Sequence, residues 1–488
     1  MNHRSKVLIV GAGPCGLMTA CELRRRGVEA DILDAAEEPG AGSRAILLWP
    51  PSLEIYRDIG ILEEAAKRGV RIKALSYHVG SGPLRLPLAP MMSPLILPQE
   101  DTVELLHDEL RRLGGEVMRG LEVTGLEQDA AKVTVTARRA GGEVVTLEAE
   151  WLVGADGFRS TVRDKIGSAF TGAPLPITFL LAEGHLEGDY DAEAVNYYLG
   201  RTGVVLVAPL PGGRVRVSGA LPDGAAIDEG TAQRLLDERG PGGLRITGLT
   251  MNTTFTSHER IASPLRSGRC FLVGDAAHVH SVVGGQGLNL GFGDARNLAW
   301  KLAGVINGRY APRVLDSYDP ERRAAAEQTV QATGRMARQA VLSPFANRVR
   351  NALMTLGHRS GALGRRLPPL LSGWLIRYPD ALIPAPGRVP RGLPRPGARS
   401  PRWTLEPDDD RFQLVTAGTR GGAADEQGTA LAGRLHDLLL HRHRDGGGEG
   451  FVLLRPDGYV AAAGRPADLG PVATALEHLA PQSTKEHS

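Results

Sequence analysis

The sequence predicts an α/β protein in which a parallel sheet built from βαβ units is interleaved with a mostly antiparallel β lobe and followed by a small α/β unit. Three observations carry that expectation. Residues 6–34 form a complete strand–turn–helix–strand pattern, and residues 166–261 hold short β-rich runs parted by Pro-Gly turns. A stretch rich in Pro, Gly and Arg at 384–402 then sets off the tail from 403 onward.

Residues 7–10 are an apolar run of the kind that a strand buried on both faces needs. Gly11, Gly13 and Gly16 follow, then Leu17, Ala20, Cys21 and Leu23 at helical spacing, with Gly27 in a C-terminal cap position. Residues 28–33 make a second strand that ends at Asp34, and a right-handed crossover is expected between the two. Residues 143–152 alternate in part and run into a strand-like 151–153. The runs 203–208 and 215–220, parted by Pro211, Gly212 and Gly213, read with residues 76–98 as a second lobe. Residues 270–273 return to buried-strand character. Ala295, Leu298, Ala299, Leu302, Val305 and Ile306 then line one face of a long helix, and helical patterns run on to residue 378. In the tail the pattern predicts a strand at 411–415, a helix at 430–441, a strand at 451–454, a turn at 455–458 and its hairpin partner at 459–463.

Composition excludes several classes. The 488 residues carry 57 Lys and Arg against 55 Asp and Glu, which leaves no basic footprint for nucleic acid. At 42% hydrophobic and 23% charged, the chain is that of a folded protein rather than a disordered one. Cys15, Cys21 and Cys270 are too few for a disulfide framework and form no Cys-x-x-Cys pair, which points to a reducing compartment. Residues 7–10 are too short for a signal-peptide core. The longest uncharged apolar stretch, 86–99, is interrupted by Pro87, Pro90, Pro94 and Pro98 and cannot cross a bilayer as a helix. A cytoplasmic protein without a membrane span is expected.

The glycines after the first strand have mechanical tasks. Gly11 permits a tight turn, Gly13 lets backbone approach a pyrophosphate, and Gly16 lets helix and strand pack closely. The phosphate then sits on a helix N-terminus, where amides lack partners and the dipole is positive. Asp34 is placed to accept hydrogen bonds from a ribose. Strand, glycines, helix, second strand and terminal acid agree in predicting dinucleotide binding; the alternative is a tight strand–helix turn without a ligand. Two further constellations follow. One is Gly154, Ala155, Asp156 and Gly157; the other is Gly274, Asp275 and His278, leading to Gly284, Gly285, Gln286, Gly287, Leu288 and Asn289. Taken singly, Asp156 and Asn289 read as helix caps and His278 as a satisfied core histidine. Their common order along the chain is far more specific.

With these motifs, and with Ser43, Arg44, Ala45, Gln99, the run from Asp294 to Lys301 and the run from Leu315 to Arg322, the chain resembles the single-component FAD-dependent aromatic hydroxylases. These are the para-hydroxybenzoate hydroxylase-like flavin monooxygenases. Within them it is most similar to the bacterial branch that tailors aromatic polyketides and antibiotics. The resemblance covers most of the chain. It implies a Rossmann-like FAD-binding domain at 1–75, 99–165 and 262–383, interleaved with a substrate-binding β-sheet domain at 76–98 and 166–261. A linker at 384–402 and a thioredoxin-like C-terminal domain at 403–488 complete the implied plan.

The resemblance also implies roles. Gly11, Gly13, Pro14, Gly16 and Asp34 would hold the ADP half of FAD. Arg44 and Gln99 match positions that contact its ribose, pyrophosphate or ribityl chain, Val123 one whose backbone meets the adenine, and Asp275 one that binds the ribityl chain or pyrophosphate. Asp156 and Gly157 match a motif tied to both FAD and NAD(P)H. Gly287 and the backbone amides of Leu288 and Asn289 would face flavin N1 and O2 at a helix start, whose positive end stabilises the negative charge of reduced flavin. The implied reaction uses NADPH or NADH as a transient co-substrate and O2, which adds at flavin C4a to give a hydroperoxide. The distal oxygen then passes to an aromatic, polycyclic substrate in a water-poor pocket. With one glycine fingerprint, the nicotinamide is expected to dock without a Rossmann domain of its own. Baeyer–Villiger oxidation or epoxidation on the same fold, or a flavoprotein that sequesters an aromatic ligand, are the competing readings.

The chain departs from the family pattern at three places. Val282 stands where proline is usual, Trp49, Pro50 and Pro51 replace a more polar pattern, and the tail has no cysteine for dithiol chemistry. Packing or oligomer contacts, a homodimer among them, are the expected task of that tail, and core packing that of Trp49. His436, His441 and His443 lack partners for a metal, no Gly-x-Ser-x-Gly elbow or Trp-x-Trp pair is present, and no general base is evident.

Overall fold

The strand His3–Val10 lies between two parallel neighbours, Ala30–Leu33 on one side and Val144–Gly154 on the other. Val7, Leu8 and Ile9 have no exposed surface, as a strand covered on both faces requires. The computed structural model describes residues 3–40, 45–80, 82–200, 202–221, 225, 227–281, 283–339, 342–379, 382–383, 389–400, 402–406, 409–445 and 449–481. Val117–Met118 and Cys270–Leu272 extend the parallel sheet at its two sides, and Glu122–Gln128 and Val133–Arg138 run as an antiparallel meander onto Val144–Gly154. The helices Pro14–Arg24 and Gly287–Ile306 pack together. Val10 pairs with Gly154, so the loops after these two strands stand side by side. That junction is where open parallel sheets take ligands.

The second lobe is an eight-stranded sheet. Its long strands, Ala169–Glu187 and Arg245–Ser263, pair antiparallel, and Ala74–Val79 joins its far side by pairing parallel with Ala194–Leu199. Period-two alternation gives the sheet two different faces. Val205, Val207, Val215 and Val217 pack under Leu235 and Leu236 of the helix Thr231–Arg239. Val204, Leu206, Ala208 and Arg216 turn to the opposite face, towards the parallel sheet's crevice. Leu95–Ile96 pairs with Leu47–Leu48 and Val70–Arg71 in a small separate sheet.

In the tail, Phe412–Gly418 is flanked by a parallel strand, Leu439–Asp445, and an antiparallel one, Gly450–Leu454, which pairs with Val460–Gly464. Strand order 2-1-3-4, with the helices Ala423–Arg434 and Leu469–Leu479, is a thioredoxin-like arrangement. The helix expected at 430–441 is corrected. It ends at Arg434, and His441 lies in a strand, because the apolar run after residue 437 finds a sheet edge at Phe412–Gly418 to pair with. The described part of the stretch expected as a linker makes contacts of its own. Val389 and Leu393 pack with Val415 and Val452 of the C-terminal unit, and the Gly397 amide donates to the Val460 carbonyl at 2.8 Å. Its apolar residues, too few to look like core in sequence, find cover on that sheet.

The turn at 455–458 inserts into the first unit. Arg455 donates to both oxygens of Glu321 at 2.7 and 2.8 Å, and Lys301 donates to Glu321 at 2.7 Å. Asp457 accepts from Arg455, Asn297 and Trp300. All four charged groups are buried, and two cations face two anions. Burial alone would raise the Glu321 carboxyl, yet Arg455 and Lys301 hold it down at about 2.

Candidate cofactor and substrate site

Gly11 adopts φ +103°, a region that only glycine enters freely, and a Cβ there would lie 2.4 Å from the Ala155 carbonyl oxygen. A Cβ at Gly16 would lie 1.9 Å from the Gly11 carbonyl oxygen. Both glycines are demanded by the fold. Gly13 is different: its φ of −71° suits any residue, and a Cβ there meets nothing within 4 Å. The space beside it is open.

That space belongs to a cavity of about 1030 Å³ running from the end of His3–Val10 to the β lobe. Two helix N-termini open on it. Pro14–Arg24 begins there with no side-chain cap and no acid in its first turn, and so does Gly287–Ile306. Uncapped helix starts leave amide donors without intrahelical partners and carry positive potential, the two properties an anionic ligand uses.

Of the residues singled out in the sequence, Gly13, Pro14, Gln99, Gly157, Asp275, Gly287 and Leu288 line this cavity. Gln99 accepts from the Ala45 amide at 3.2 Å. Asp34 follows the strand Ala30–Leu33; its carboxylate accepts from the Ala12 amide at 2.6 Å and the Ala36 amide at 2.8 Å, which braces the glycine turn. Val123 is buried on the meander, two residues past Leu121, whose amide donates to the Asp34 carbonyl. The Asp156 carboxylate turns away from the cavity. It accepts from Ser160 at 2.5 Å and from the Val162 amide at 3.0 Å at the start of the helix Thr161–Lys165, while burial raises its pKa. Arg44 and Val282 fall outside the described residues.

The Asn289 side chain is a clamp rather than a lining group. It accepts from the Trp49 amide and the Ser52 hydroxyl and donates to the carbonyls of Leu47 and Gly285, all at 2.7–2.8 Å. Trp49, fully buried, donates its indole N–H to the Gly284 carbonyl at 2.9 Å. The segment that departs from the family pattern is thus fastened to the glycine loop. Asp294 holds the neighbouring turn: it accepts from the Gly274 amide at 3.0 Å and from Arg322 at 2.7 Å, and lies 2.7 Å from His278. Burial would raise its carboxyl, but His278 and Arg322 hold it low. Cys15 lines the cavity, but burial, with Asp275 and Asp294 nearby, pushes its thiol well above the ordinary value.

Sequence reasoning missed the far wall. Tyr77 and Tyr197 sit opposite each other on paired strands and stack with ring centroids 4.7 Å apart and planes within 7°. Phe179 and Phe255 stack at 5.7 Å. Arg216 is the buried cation of this wall, bound by Glu183 of the neighbouring strand. His280 also lines the cavity; its Nδ1 donates to the Ser281 carbonyl at 2.8 Å, and burial lowers its pKa to about 4, so the ring is neutral. The alternation of Val204, Leu206 and Ala208 was the available signal. Their strand was legible, but not which face would be cavity.

The comparisons agree with this geometry. A family model described as an FAD binding domain matches residues 4–333. The chain belongs to that family and is an FAD-dependent monooxygenase. It is 32% identical over 534 residues to a 6-methylpretetramide 4-monooxygenase of Streptomyces rimosus, covering 98% of this chain and 94% of that one. A rifampicin monooxygenase of Streptomyces venezuelae is 37% identical over 342 residues, covering 67% and 70%. The solved structure of an anhydrotetracycline hydroxylase from Streptomyces rimosus superposes with a TM-score of 0.77 at 30% identity, covering 98% and 99%. Both open helix ends, and the space at Gly13, fit the cofactor that this family binds.

Proposed function

We propose that this monooxygenase hydroxylates an aromatic, polycyclic substrate of the polyketide or antibiotic type, with NADPH or NADH as reductant. The observation that carries the reading is the continuity of one cavity, from the two open helix N-termini to a wall of stacked aromatic rings. A long, flat, apolar ligand suits that wall. The tetracycline-type substrates in the names of the relatives are of the same chemical class.

When bound, FAD would supply the redox chemistry, accepting reducing equivalents from the nicotinamide and activating O2, with one oxygen atom going to the substrate and the other to water. The chain's own residues bind and orient. The amides after Gly13 hold the diphosphate, Asp34 takes the ribose hydroxyls, and Gln99, Arg44 and Asp275 serve the ribityl and phosphate region. The backbone at Leu288 and Asn289, at an uncapped helix N-terminus, would hold the electron-rich part of the flavin. The aromatic wall excludes water from the reacting centre, and the Glu183 carboxylate keeps Arg216 from adding a bare charge to it. The nicotinamide enters transiently, since the chain holds one glycine fingerprint.

The test supplies 18O2 with a panel of phenolic polycycles and follows product mass, peroxide and NAD(P)H consumption. One heavy oxygen on a ring carbon is the expected outcome. A heavy oxygen in a new ester or lactone link would assign Baeyer–Villiger chemistry instead, and stoichiometric peroxide with unchanged ligand would overturn oxygen transfer.

A further inference from the structure

The helix Pro344–Arg359 is docked the wrong way round for a soluble protein. Its four large outward apolar residues, Phe345, Val349, Leu353 and Leu356, recur at helical spacing and are 76%, 44%, 64% and 65% exposed. Its inward side is polar by comparison: Asn347 is its buried residue and donates to the Leu342 carbonyl, and Arg350 and Met354 line the cavity. The next helix, Ala362–Leu371, and the turn after it add Leu370 and Leu375, 43% and 47% exposed. Elsewhere among the described residues the large exposed apolar side chains are Met91, Val144 and Ile227, scattered singly. A contiguous exposed apolar face marks an interaction site.

Charge decides the partner. Between Glu327 and Asp380 the chain has eight arginines and no carboxylate. Arg348, Arg359, Arg365 and Arg366 are exposed beside the apolar strip, and among the described residues none of them has a carboxylate partner. A second copy of this chain packed isologously on the strip would bring these arginines against their own equivalents, which like-charge repulsion opposes. A row of Leu, Val and Phe flanked by arginine, on helices of low net hydrophobicity, is instead the pattern of a segment lying in a membrane interface.

We infer that the helical pair Pro344–Arg359 and Ala362–Leu371 docks this enzyme on an anionic lipid bilayer, with Phe345, Val349, Leu353 and Leu356 in the acyl boundary and the arginines on the headgroup phosphates. The inner side of the same pair, through Met354, Leu363 and Leu367, forms part of the cavity wall. Docking therefore brings the cavity beside a phase in which apolar polycycles concentrate. The attachment is peripheral: no helix of the described residues is long and apolar enough to cross a membrane.

The experiment floats FAD-loaded protein with phosphatidylcholine vesicles, pure or with about a third phosphatidylglycerol, at low and physiological salt. The wild-type chain is expected to partition at least about tenfold more strongly to the anionic vesicles, with binding weakened by salt. Phe345→Ser/Leu353→Ser/Leu356→Ser and Arg348→Gln/Arg359→Gln/Arg365→Gln should each lose about tenfold while keeping FAD occupancy and secondary structure, which excludes misfolding as the cause. Equal binding to both vesicles, or anionic binding unchanged in either variant, overturns the proposal. So does a wild-type dimer that ignores vesicles and falls to monomer in the serine variant, which gives the face to a second copy. Failure to bind lipid together with tight binding to an acidic carrier protein gives it to a protein partner.

Discussion

The N-terminal ends of Pro14–Arg24 and Gly287–Ile306 and the junction around Glu321 are both polar regions inside apolar surroundings, and they are finished in opposite ways. At the helix ends no side chain caps the first turn. At the junction every charge meets its opposite: Lys301 and Arg455 meet Glu321, and Arg455 meets Asp457. Buried polar groups are normally paired. Where the protein leaves donors open beside a cavity, a ligand is expected to complete them; where it pairs them all, the residues serve the scaffold. The contrast separates cofactor site from framework without reference to residue type.

The largest expected effect breaks the framework side. Glu321→Ala removes the shared acceptor and leaves Lys301 and part of the Arg455 guanidinium buried without an anion, a loss of about 3–5 kcal/mol. Denaturant unfolding of purified protein measures it, and a midpoint equal to wild type would show that the junction carries no stability. The site side is broken by Gly13→Val. The backbone at Gly13 accepts a side chain and a Cβ there meets no protein atom within 4 Å, so unfolding of the apoprotein should change by less than about 1 kcal/mol. FAD affinity, titrated by flavin fluorescence, should fall at least about a hundredfold, as loss of one or two hydrogen bonds to a charged phosphate predicts. Loss of stability without loss of FAD would reverse the assignment. Acid titration sharpens the comparison by the smallest step. Glu321 ionises at about 2 in the folded chain against an ordinary 4.5, so the unfolded chain binds the extra proton between those values. The stability it contributes is complete above about 4.5 and is lost as pH falls towards 2. In Glu321→Gln that part of the acid dependence should be absent from the unfolding free energy measured against pH.

The difference between the two regions also explains what the sequence disclosed. The glycine turn, its strands and the helix after it are local, so spacing alone placed Gly11, Gly13, Gly16 and Asp34 together. The wall of Tyr77 and Tyr197 is not local: parallel pairing of Ala74–Val79 with Ala194–Leu199 brings the rings into register from distant parts of the chain. Asp156 and Asn289 illustrate a second limit. Their positions were legible, but their side chains proved to be bonded within the protein, Asp156 to Ser160 and Val162 and Asn289 to the Trp49 segment. The junction was opaque for a third reason. Arg455 and Asp457 flank Pro456 ahead of Gly458 and read as a hairpin turn, and only the packing of two units shows them to be enclosed.

That hairpin turn makes the C-terminal unit a keystone instead of a module. A chain cut after residue 383 would present Lys301, Glu321, Asn297 and the Trp300 indole to water on one raw face, stripped of the Arg455 and Asp457 groups that complete them. Grafting a foreign tail onto this core, or this tail onto another core, therefore requires carrying both halves of the joint together, and a shortened enzyme would have to be re-surfaced at those four positions before it could stand alone.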